Sequence, residues 1–143
     1  MPQWIGYAIA AAVFYALHQV FTKLAAPHIS DGLGALVVES TAAATIALYL
    51  VVLFASGEWN QKAATTGIVH SALTGMCVGV GTIFFFLLFQ HGAPLSALPA
   101  VLALGAALIA VFGIVFFGDA ATPPRLLGIV LSVAALYLLR AAQ

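Results

Sequence analysis

Charge is almost missing from this chain: four Lys or Arg and four Asp or Glu stand among 143 residues, 6% of the total, where soluble domains carry about 25%. So few charges leave no basic patch for nucleic acid and too little polar surface to face water. Cysteine is nearly absent as well. Cys77 stands alone inside an apolar run, which excludes an intrachain disulfide and leaves the redox compartment unread. There is no Gly-rich phosphate loop followed by Lys-Ser/Thr and no nucleophile elbow. His28, His70, His91 and Cys77 show no ligand spacing, so no metal site, no cofactor and no enzymatic activity are expected. Residues 1–3 lack the basic start of a cleavable signal, and insertion through the first apolar run is expected instead.

Hydrophobicity fills the space that charge leaves. Apolar residues make up 64% of the chain, and the mean hydropathy is +1.18. These values predict an all-α integral membrane protein, one domain over residues 1–143, in which spans of about 20 residues take up nearly the whole length. Five runs are readable. The first, Trp4 to about Ala25, is closed by Pro27 and the turn His28-Ile29-Ser30-Asp31-Gly32, with Asp31 expected as the N-cap of the second. The second, Leu33 to about Ala55, stops at Ser56-Gly57 before the polar segment Glu58-Trp59-Asn60-Gln61-Lys62. The third, Gly67 to Phe89, ends at Gln90-His91-Gly92-Ala93-Pro94, a connection short enough to require antiparallel neighbours. The fourth runs from about Leu95 to Phe117, and Gly118 then stops it. Thr122 as N-cap and Pro123 at the first helical position open the fifth. Its apolar part, Leu126 to Leu139, is short for a span, so Arg125 and Arg140 are expected to snorkel outward; a tilted or re-entrant helix is the alternative.

Five spans put the N-terminus, the 56–66 loop and the 118–125 loop on one side of the membrane, and the other connections and the C-terminus on the opposite side. Lys62 and Arg125 then face Lys23 and Arg140, an even split that gives the positive-inside rule nothing to act on. The chain is either oriented by something else or inserted both ways, and the second case would let two copies pair antiparallel.

Glu39 is the one charged side chain well inside an apolar run, in ALVVESTAAATIALYLVV. A charge near the bilayer centre costs roughly 3 kcal/mol even on lenient scales, and such residues face a bundle interior or a cavity. Helical spacing gathers Trp4, Tyr7, Ala11, Phe14, Tyr15, His18 and Thr22 on one face of the first helix, opposite the lipid-like Ile5, Ile9, Val13, Ala16 and Val20. Trp4 and Tyr7 also suit the interfacial belt. His18 and Glu39 lie about 10–12 Å below the same surface, at 1.5 Å per residue, so a Glu39–His18 pair is expected. It reads either as a structural hydrogen bond between two helices or as a site for proton coupling or cation binding. Ser71, Gly75, Gly79 and Thr82 on the third helix, and Ala103, Ala106, Ala110 and Gly113 on the fourth, form small-residue ridges for close helix packing. Gly79-Val80-Gly81 also permits a bend.

The stretch from Gly81 to Arg140 resembles the repeat of the drug/metabolite transporter superfamily, in its EamA-like branch. The resemblance rests on the turn Gly92-Ala93-Pro94, the Phe-containing fourth helix that ends in Gly118-Asp119, and Pro123-Pro124 before Leu126-Leu127-Gly128. YALHQVFTKLAAPHIS, with Lys23 near its end, is similar to the family's first helix. The resemblance implies a single five-helix half-transporter repeat in the inner (plasma) membrane of a bacterium, its substrate cavity lined mainly by helices 1 to 4. Two departures stand out. Family members commonly carry a basic residue near the position of Glu39, so an acidic one points toward a cation or a proton-linked step. They also commonly hold two inverted repeats where this chain has one, which implies a homodimer or a paired second membrane chain. The function expected is a proton-coupled secondary transporter exporting a small amphipathic or cationic metabolite or drug, with Glu39 and His18 as the proton and substrate site and Tyr7, Ala11, Phe14, Tyr15 and Thr22 lining the cavity. The alternative is a non-transporting accessory subunit of a larger membrane complex.

Overall fold

The computed structural model describes the backbone of residues 3–141 and the side chains of residues 4–134, 137 and 138. All the regular structure among them is helical: α1 (Gln3–Ala25), α2 (Asp31–Ala55), α3 (Thr65–Gln90), a short 3-10 turn (Leu95–Ala97), α4 (Leu98–Phe116) and α5 (Pro123–Ala141). The first four are long and apolar enough to cross a membrane, and the fifth has the shorter apolar stretch, Pro123–Ala134. Four long apolar helices and a shorter one suit an integral membrane protein. The chain divides into two compact units between Ala93 and Pro94.

Glycine and proline set the boundaries. Gly57 and Gly92 adopt positive φ, 75° and 86°, directly after α2 and α3. At each, the next residue's N–H reaches back to the carbonyl five residues earlier, Glu58 to Leu53 at 3.1 Å and Ala93 to Leu88 at 3.2 Å, so the last turn keeps its carbonyls bonded. α5 begins at Pro123, as the Thr122-Pro123 pair predicts. The N-cap of α2 is a correction: Ser30 caps it, with extended φ and ψ and its carbonyl accepting from Gly34 N–H at 2.7 Å, while Asp31 lies in the first turn. There the carboxylate still meets the positive end of the helix dipole. α4 starts at Leu98 rather than Leu95, because Pro94 and Pro99 each lack an N–H and the chain between them takes a tighter turn.

In the first unit, α1 and α2 both pack against α3, and they do so at one end. Gln19, Thr22, Ala26, Gly34, Ala35, Thr82, Phe86 and Phe89 are buried there. Gly34 is what lets α2 approach: a Cβ at that position would lie 2.5 Å from Phe86 Cε1. Two polar fastenings close the same end. Lys23 Nζ donates to the Ala93 carbonyl at 2.7 Å and sits 5.1 Å above the Phe89 ring, and Gln90 Nε2 donates to the Ile29 carbonyl at 2.9 Å. Away from it the helices carry exposed side chains throughout, among them Tyr7, Phe14, Ile46, Phe54, Ile68 and Met76. A Cβ on Gly75 or Gly79 would meet nothing within 4 Å. The third-helix ridge of Ser71, Gly75 and Gly79 is therefore open within this chain.

In the second unit, α4 and α5 pack along each other. Ala106 and Ala110, with Gly128 and Ser132 of α5, line a cleft of about 320 Å3. The need for glycine at 113 comes from the loop, since a Cβ there would lie 2.8 Å from Asp119 Oδ2. Arg125 turns onto that loop, donating to the Ala120 carbonyl at 3.0 Å and lying 3.5 Å from Asp119. Both partners are about half exposed, so the ion pair adds little. The snorkelling expected of Arg140 lies outside the described residues.

The Gly34–Phe86 contact yields a test. Gly34→Ala should destabilise the protein by about 1–3 kcal/mol, the usual result of overpacking, and adding Phe86→Leu should recover part of the loss. Reversible unfolding in detergent measures both.

Candidate functional site

Glu39 sits two turns into α2, half-buried, on the side turned to α3. Its Oε1 accepts a hydrogen bond from the Thr82 hydroxyl at 2.6 Å. That distance falls in the range of about 2.5–2.7 Å typical of a hydroxyl donating to a carboxylate. Oε2 accepts no hydrogen bond among the described residues, so one oxygen is held and the other is available. Thr82 itself is 4% exposed and lies 3.0 Å from the Val78 carbonyl one turn earlier.

His18 is on α1, on the wall of a cleft that α2 also lines. No hydrogen bond joins it to Glu39 among the described residues. Its Nδ1 is buried without a partner, as is Oε1 of the adjacent Gln19. Its ring meets Tyr15 edge to face at 6.5 Å. His18 and Thr22 line one wall of a cleft of about 380 Å3 between α1 and α2, with Val38, Thr41 and Thr45 opposite and Phe86 at its base. The Thr22 and Thr45 hydroxyls donate to carbonyls of their own helices, His18 and Thr41, at 2.9 Å each, so the cleft surface is largely apolar. Tyr7, Ala11, Phe14 and Tyr15 continue the His18 face toward the N-terminus but stand exposed, Tyr7 at 78% and Phe14 at 73%. None of the four is among the residues lining the cleft that holds His18 and Thr22.

Three features escape the sequence pattern. Thr82 reads there only as a small ridge residue, yet it lies eight positions before the end of α3, matching the eight by which Glu39 follows the start of α2. Equal depth on antiparallel helices was the available signal. Gln19, buried at 5% exposure, and the Lys23 fastening had none. Among the described residues no three of His, Cys, Asp and Glu gather as a metal centre would require.

Comparison with known proteins finds a distant relative from Sinorhizobium sp. described as an uncharacterized transporter in the cobO 3' region. It is 27% identical over 143 residues, an alignment covering 95% of this chain and 95% of that protein. No family model matches the chain. No solved structure matches it.

The two candidate partners of Glu39 are separable by double-mutant cycles on unfolding free energy. Glu39→Gln with Thr82→Val should show a coupling of about 0.5–3 kcal/mol, whereas Glu39→Gln with His18→Ala should add to within about 0.5 kcal/mol.

Proposed function

We propose that this chain is one half of a secondary transporter, working in a bacterial plasma membrane as a dimer, which exchanges protons for a small amphipathic or cationic metabolite or drug. The observation carrying this reading is Glu39: a carboxylate in an apolar helix, one oxygen held by Thr82 and the other unbonded. A carboxylate so placed binds a proton or an organic cation, but not both, and that competition is the basis of exchange. The α1/α2 cleft, lined by Val38 next to Glu39 in the chain, supplies an apolar wall, and the Nδ1 of His18 is buried there without a hydrogen-bond partner.

The transporter name of the Sinorhizobium relative supports the general role, and the alignment spans nearly all of both chains. The exposed aromatic face of α1 and the open ridge of Ser71, Gly75 and Gly79 support pairing, because small-residue ridges let membrane helices approach closely. The even split of Lys62 and Arg125 against Lys23 and Arg140 supports an antiparallel arrangement of the two copies. The same open faces also fit an unlike chain, which is the accessory-subunit reading. A purified homodimer with saturable ligand binding supports transport, whereas strict co-purification with different subunits supports the other.

Glu39→Gln should leave a folded protein whose proton-driven flux of a lipophilic cation in liposomes is lost, since no group remains for the two to share. Retention of the wild-type pH profile by that variant would remove Glu39 from the mechanism. Assembly is tested through topology. Two lysines added to the loop between α2 and α3, or two added to the turn between α1 and α2, should bias insertion in opposite senses. Each variant alone should lose activity, and co-expression of the pair should restore it. Full activity of each alone, with every C-terminus on one side, would replace the antiparallel dimer by a parallel one or by an unlike partner.

A further inference from the structure

A threonine hydroxyl has one hydrogen to donate, and that of Thr82 has two acceptors in reach: Glu39 Oε1 at 2.6 Å and the Val78 carbonyl at 3.0 Å. It cannot serve both at once, so the protonation of Glu39 decides between them. While Glu39 is ionised the carboxylate can only accept, and it takes the hydrogen in the stronger, charge-assisted bond. When Glu39 gains a proton it becomes a donor, giving its own hydrogen to Thr82 Oγ1. The Thr82 hydrogen is then free to turn to Val78. One proton enters, and one hydrogen bond changes its acceptor.

The location of Val78 gives this exchange a mechanical meaning. Between it and Thr82 lie Gly79, Val80 and Gly81, and a Cβ added to either glycine would meet nothing within 4 Å. A threonine hydroxyl bonding the carbonyl four residues back competes with the helix's own hydrogen bond to that carbonyl and often bends the helix there. The backbone being bent is the pair of glycines, which resist bending least. We propose that Thr82 is a positioning residue that converts protonation of Glu39 into a bend of α3 at Gly79–Gly81, swinging the Thr65–Val78 part of the helix relative to α2.

This rests on the reading of Glu39 as the proton site. The other titratable groups on these helices are Tyr7, Tyr15, His18 and Lys23 of α1, Asp31 and Tyr49 of α2, and His70 and Cys77 of α3, with His91 directly after α3, and none of them makes a hydrogen bond to Glu39 among the described residues. Lys23 is bonded to the Ala93 carbonyl, and His70 and His91 lie 2.8 Å from the α3 carbonyls of Thr66 and Leu87. The end of α3 beyond Thr82 is fixed by Lys23 and Gln90, so motion is left to the Thr65 end.

Spin labels on Leu48→Cys and Ile68→Cys in a Cys77→Ser background, in full-length protein in nanodiscs, read that motion as a distance across α2 and α3. Both label sites are exposed. The distance should change between about pH 3.5 and about pH 9, a range wide enough to take a carboxyl group from protonated to ionised. Glu39→Gln should hold it at the acid value at every pH. Thr82→Val should abolish the change and Thr82→Ser should keep it. Gly79→Ala with Gly81→Ala, positions with room for the added methyl groups, should remove most of the change while leaving the fold intact. A wild-type distance independent of pH, or a full change in Thr82→Val or in the double alanine variant, overturns the proposal. Proton-coupled flux is measured separately on the same proteins: a pH-dependent distance without coupled flux sinks the transport reading and leaves the bend standing, and coupled flux without the distance change does the reverse.

Discussion

Hydrocarbon offers a carboxylate no hydrogen bond, so a glutamate in a membrane helix must find its donor within the protein. Glu39 finds it in Thr82, and much of the first unit is arranged to keep the two together. For the bond to form, α2 has to run close to α3 with a particular rotation. The close approach of Gly34 to the Phe86 ring supplies the distance one turn away. The Lys23 and Gln90 bonds then hold the α1 end and the first turn against the end of α3, so that depth along the helices is set as well. Widening the approach at Gly34 would draw the Thr82 hydroxyl away from the carboxylate.

The half-buried state of Glu39 follows from the same geometry. A fully enclosed carboxylate would be inert toward a ligand, and a fully lipid-exposed one would be unstable as an ion. Holding one oxygen and leaving the other gives a group that is anchored yet still able to exchange its partner. The apolar cleft between α1 and α2 has Phe21, Val37 and Val38 on its walls, Val38 being the chain neighbour of the carboxylate.

How much of this was readable depended on whether the determining interaction was local. Helix ends were legible because Gly57, Gly92, Gly118 and Pro123 act through their own backbone geometry. Ser30 and Asp31 are both good capping residues and adjacent, so the pattern alone could not choose between them. Glu39 stood out because one charge in a long apolar run is conspicuous. Its partner did not, because depth leaves every polar residue at that level eligible, and the choice between His18 and Thr82 is made by helix rotation. Rotation comes from packing at Gly34 and Phe86, fifty-two positions apart in the chain, and no local pattern records it. Lys23 carries a second part that the pattern did not record. As a charge near a span end it counts toward topology, yet once folded it is tied to a carbonyl and an aromatic ring.

Fastening the first unit at one end separates two kinds of selection on its sequence. Positions such as Thr22, Gly34, Thr82, Phe86 and Phe89 are constrained by neighbours on all sides, and a change at one calls for a change at another. Those along the exposed halves, from Tyr7 to Tyr15 and from Ser71 to Val78, touch little within the chain, so a change at one of them does not loosen the fastened end. A lineage built on this scaffold can therefore diversify what it meets at the open end quickly, while the end that holds the carboxylate in place changes slowly.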